Sequence, residues 1–130
     1  MTHEEALRFW LDSAEDNHRS MENMFHAGEY MWSLFIGHLV LEKLLKALHV
    51  KTKGAEIPRT HDLLRLAMLC GLQPTEEQKD ALQLITLFNI ESRYEDYKRD
   101  FYGKCTKEFA EASIAKIEEI RLWLRQEISR

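Results

Sequence analysis

The sequence predicts an all-α fold, an up-and-down four-helix bundle with one additional short helix, in a single domain covering residues 1–130. Three observations predict it. Apolar residues recur at spacings of three and four along most of the chain, the pattern of amphipathic helices. No run alternates with strand period over enough residues to suggest a sheet. Only two prolines and five glycines occur, so few places can turn sharply.

The first predicted helix runs from Glu4 to Ala27. Leu7, Trp10, Leu11, Ala14, Met21, Met24 and Phe25 form its apolar side, and Glu4 and Glu5 suit the positive end of the helix dipole. Gly28 is the natural stop, and the short link after it turns the chain back antiparallel. The second and central helix spans Tyr30 to His49 and frays through Lys51, Thr52, Lys53 and Gly54. From Tyr30 to Leu41 only Ser33, Gly37 and His38 interrupt an apolar run that covers the whole circumference, as in a helix enclosed by others. It is too short and too interrupted to cross a bilayer, which takes about 20 apolar residues.

Pro58 disfavours helix at Ile57, and Thr60 is placed to cap a short third helix from His61 to Cys70, closed by Gly71. Thr75 with Gln78 three residues later forms a capping box, opening a fourth helix that ends near Ser92. Its buried side carries Ala81, Leu82, Ile85, Phe88 and Asn89. Arg93 to Gly103 shows no helical stripe but several aromatics, and reads as an ordered surface loop. The last helix runs from Thr106 to Ser129 on a stripe from Phe109 to Ile128. Trp32 and Phe35 suit a dimer or partner face on the second helix, with Met31 on its surface.

A formal net charge of −4 argues against a dedicated nucleic-acid coat protein, without excluding a local basic groove. Two cysteines, Cys70 and Cys105, make neither a disulfide framework nor a metal set. The N-terminus lacks the basic start and apolar core of a signal peptide, so a cytoplasmic protein is expected.

Three constellations could carry chemistry. His38, Glu42, Lys46 and His49 recur at spacings of three, four and seven, forming one polar seam on the central helix. A carboxylate between basic groups there is either a structural ion pair or the edge of a site. Arg93-Tyr94 at a helix end suits a clamp for an anionic, planar ligand such as a nucleotide. Its alternative is that Arg93 pairs with Glu42 across the bundle. Arg19 and His26 share one side of the first helix and could hold a phosphate and move a proton in RNA cleavage; a solvated or interface pair is the alternative. A metal is not expected. His18, Glu22 and His26 lie at helical spacing, but a di-iron bundle needs a second E-x-x-H motif that the chain lacks. His18 reads instead as a hydrogen-bonded core or interface histidine. Cys70, at a helix C-terminus, is poorly placed to be a nucleophile. No P-loop, G-x-S-x-G or G-x-G-x-x-G occurs, and no cofactor is expected.

An ordered set of blocks closely resembles the HEPN domain (higher eukaryote and prokaryote nucleotide-binding). The set comprises Trp10-Leu11, Ala14-Glu15, Gly28-x-Tyr30, Trp32, Phe35, His38 to Ala47 with its E-K-x-x-K-A, Pro58 to Leu63 with its T-H-D-L, and Ser92-Arg93-Tyr94. The resemblance implies a helical bundle that pairs into a homodimer, as a stand-alone prokaryotic protein. It also implies a minimal nucleotidyltransferase partner of the MNT type, in toxin–antitoxin modules or nucleotide-handling complexes. Carried over residue by residue, it marks His38, Glu42, Lys46, His61, Arg93 and Tyr94 as ligand-binding positions. Two departures stand out. The superfamily's ribonuclease branch carries an R-x4-6-H motif in later helices, and no histidine follows His61 here. Many relatives read Arg-Tyr-Pro where this chain has Arg93-Tyr94-Glu95. The sequence thus favours a non-enzymatic binding module, with a metal-independent ribonuclease toxin or a purely structural interaction protein as alternatives.

Overall fold

The computed structural model describes residues 1–54 and 56–130. Six helices account for most of the chain: α1 (His3–His26), α2 (Tyr30–Lys53), α3 (Leu63–Leu69), α4 (Glu76–Arg93), α5 (Glu95–Lys104) and α6 (Lys107–Ser129). No strand occurs among the described residues. The four long helices alternate in direction, as the cross-helix contacts show. On α1 and α2, Met21 meets Ser33 while Trp10 meets Lys46. Asn89 of α4 lies beside His38, and Lys98 of α5 reaches back to Trp32. On α6, Ile117 packs at Gly37 and the last carbonyls receive Lys51.

The helix ends have local causes. Thr2, Asp62, Thr75 and Thr106 each accept a backbone N–H of the following first turn. The Thr75–Gln78 capping box forms in both directions. Gly28, just past α1, has φ +80°, a conformation that favours glycine. The central position of α2 follows from its sequence: no residue from Tyr30 to Val50 is exposed, and Leu34, Val40, Leu41, Leu45 and Val50 are fully buried.

Four expectations are corrected. The central helix does not fray after His49 but continues to Lys53. The third helix starts at Leu63 rather than His61, because Asp62 is the cap that bonds Arg65 N–H; Thr60 instead accepts from Asp62 N–H. Residues 95–104 are helical rather than a loop, making a second short helix. This helix buries only Phe101, so it has no stripe to read; Phe101 stacks on Phe88 at 5.6 Å. Met31 is 2% exposed and therefore inside the bundle, not on a partner face. No helix among the described residues is long and apolar enough to cross a membrane.

Candidate functional site

Glu42 and Lys46 stand one turn apart on α2, so their side chains meet on one face. Lys46 Nζ donates to Glu42 Oε2 at 2.8 Å, and His61 Nδ1 donates to Glu42 Oε1 at 2.8 Å. His61 reaches the carboxylate because Asp62, not Thr60, opens α3 and leaves His61 outside the helix. A third bond ties this loop to α2: His38 Nε2 donates to the His61 carbonyl at 2.8 Å.

Donor and acceptor chemistry then orders the rest. A carbonyl only accepts, so His38 carries its proton on Nε2 and offers Nδ1 as an acceptor. Asn89 Nδ2 faces Nδ1 at 3.4 Å, and Asn89 Oδ1 accepts from Arg93 Nη1 at 3.1 Å. The polar line therefore runs Arg93, Asn89, His38, His61, Glu42 and Lys46, linking α4, α2 and the loop before α3. Burial holds the His38 pKa below the ordinary imidazole value, against the raising effects of the His61 carbonyl and Glu42. Burial pushes Glu42 upward, but hydrogen bonds from Lys46 and His61 outweigh it and the net direction is down. His38 is thus neutral and Glu42 ionised in the folded state near neutral pH.

Arg93 does not pair with Glu42 across the bundle. Its partner is Asn89, one turn back on its own helix, and its guanidinium lies 5.9 Å from the ring centre of the exposed Tyr94. His49, the fourth seam residue, is buried but takes no part in the line; its Nδ1 has no partner among the described residues. At the other end, Lys46 and His61 open onto a depression of about 360 Å³ with Trp10, Ile57, Pro58, Arg59 and Thr60. Lys46 Nζ sits 5.3 Å from the centre of the Trp10 ring. Arg93 and Tyr94 do not line this depression. The six resemblance-marked residues are therefore divided. His38, Glu42, Lys46, His61 and Arg93 belong to one hydrogen-bonded line, and Tyr94 touches only its Arg93 end.

Three participants escaped sequence reading. Trp10 was visible in an apolar stripe and in the first block of the resemblance but not as a neighbour of Lys46, and Arg59 only as one charge in a loop. Asn89 carried a usable signal, since a polar amide on a buried stripe needs partners.

Arg19 and His26 are both exposed, and no hydrogen bond or ion pair joins them among the described residues. Arg19 bonds Asp16, and His26 packs edge-on against Phe25 at 5.7 Å. His18 is a hydrogen-bonded interface histidine: Nδ1 faces Glu22 at 3.1 Å and Nε2 faces Glu118 of α6 at 2.5 Å. Among the described residues no group of three or more His, Cys, Asp or Glu side chains is placed to hold a metal ion.

The family model of the HEPN domain matches residues 7–127. Two crystal structures share the fold. TT1696 from Thermus thermophilus is 24% identical, with 93% of this chain and 97% of that one aligned at a TM-score of 0.77. ST0689, an archaeal HEPN homologue, is 21% identical, with 94% and 97% aligned at a TM-score of 0.74. At these identities the likeness concerns the fold alone. Among curated proteins, none matches.

Proposed function

We propose that this chain, which belongs to the HEPN domain family, is a binding module that holds a nucleotide by its phosphates at the depression beside Lys46. One observation carries the reading: Lys46 is held between Glu42 and the Trp10 ring, beside Arg59 and His61. Glu42 balances Lys46, which leaves Arg59 as the cation of the depression, beside the His61 ring. Cations beside an indole suit an anionic ligand with a planar base.

The test is calorimetric titration with ATP and other nucleotides. Binding should weaken at least tenfold in Lys46→Ala and Arg59→Ala. Arg93→Ala should weaken it less, acting only through Asn89 and His38. Absence of heat with every nucleotide removes the ligand role. The same reading includes a homodimer and a small nucleotidyltransferase partner. Light scattering of the free chain and copurification of a co-expressed pair test those two associations separately.

A further inference from the structure

One ring in the depression has a bonding role that is settled on one side and open on the other. His61 Nδ1 donates to Glu42 Oε1 at 2.8 Å, and an ionised carboxylate can only accept. In the neutral ring Nε2 is therefore a lone-pair acceptor. No protein group bonds it among the described residues, and the side chain is 59% exposed on the depression. A fully ionised phosphate meeting Nε2 would set oxygen lone pairs against a nitrogen lone pair. Attraction requires one proton between them, on the ring or on the phosphate.

We propose that the depression takes the terminal phosphate monoester of a nucleotide, and that the complex captures one proton between His61 Nε2 and a phosphate oxygen. This deepens, and rests on, the nucleotide-binding reading above, adding the recognised end of the ligand and its control by pH. Among the described residues of the site, no other group changes role in this way. On α2, Glu42 is committed to Lys46 and His61. His38 donates through Nε2 to the His61 carbonyl, and its Nδ1 faces Asn89. Arg59, in the loop, keeps its charge, and α1 contributes only the uncharged Trp10. A phosphodiester has no proton to share near neutrality, so its binding lacks the second route.

The sign follows from linkage. The captured proton stays bound in the complex to a higher pH than in free imidazole or free phosphate. Affinity is therefore greatest near and below neutrality and falls as pH rises, by up to about tenfold per pH unit. Below about pH 6 the gain levels off, because free phosphate monoesters and imidazoles already carry the proton there.

AMP titrated into the intact chain by calorimetry, at intervals from about pH 6 to 9 and in two buffers of different ionisation heat, tests this. The expected result is uptake approaching one proton per AMP above neutrality, with affinity falling as the pH rises. His61→Gln, which gives up one of the two donors to Glu42, should stay folded with a modestly lower melting temperature, lose the uptake and bind AMP equally across that range. Constant affinity without proton uptake in the parent overturns the proposal and leaves nucleotide binding standing. Undiminished uptake in His61→Gln overturns the role of His61. No AMP binding at any pH overturns the proposal, and absence of binding by ATP as well overturns the nucleotide reading with it.

Discussion

Gly37 of α2 and Ile117 of α6 pack so closely that a β-carbon on Gly37 would lie 2.5 Å from Ile117 Cδ1 and 3.1 Å from Met21 Sδ. The absent side chain lets α6 lie against the central helix with α1 on the adjoining side.

Gly37→Ala should therefore destabilise the fold, although alanine normally stabilises a helix interior by roughly 0.5–1 kcal/mol. Overpacking, at about 1–3 kcal/mol, should outweigh that gain and leave a net loss of up to about 2 kcal/mol. Urea denaturation measures it. Adding Ile117→Val should recover part of the loss, whereas equal stability of parent and Gly37→Ala would mean that the contact yields freely.

Acid should weaken the fold in two stages. His38 has a folded pKa below its ordinary value, chiefly from burial, so its contribution is complete above about 6.5 and is lost as pH falls from there. The Glu42 pKa is also lowered: burial opposes the shift, and the Lys46 and His61 bonds win. Its contribution begins to fail only below the usual carboxylate range, about 4.3. Melting temperature measured against pH should show both declines. His38→Gln should remove the upper one and keep the lower.

Phe101 is 3% exposed and anchors α5 against Phe88 and Phe109. Phe101→Ala should cost about 3–5 kcal/mol in denaturant. Hydrogen exchange should show α5 opening first, since it is the only residue that α5 buries.

Cys70 and Cys105 are both buried, and burial pushes each thiol up to about 11; Glu91 adds to the shift at Cys105. Neither should react with iodoacetamide near pH 8 in the folded protein, and both should react in urea. Mass spectrometry reads the difference, and rapid labelling of the native chain would contradict it.

How far the sequence could be read depended on how far each signal reached along the chain. Thr75 with Gln78 and Gly28 after the first helix act within a few residues, and both behave as read. Thr60 and Asp62 are both good caps, and the choice between them was decided by distant bonds. Leu63 N–H reaches Thr86 of α4, and His61 reaches Glu42 of α2. The α5 segment was missed because ten residues with one buried side chain hold no periodicity.

By itself the sequence determined the all-helical class, the enclosed position of α2 and the shared face of His38, Glu42 and Lys46. Each follows from the regular turn of a helix, which spacing along the chain encodes directly. Only the tertiary structure decided that Glu42 takes His61 rather than Arg93, that Asn89 joins Arg93 to His38, and that Trp10 and Arg59 flank Lys46. Those pairings depend on how the packed helices are rotated and offset against one another. That is settled by the fit of whole side chains such as Ile117 against Gly37, and no spacing within one helix records it.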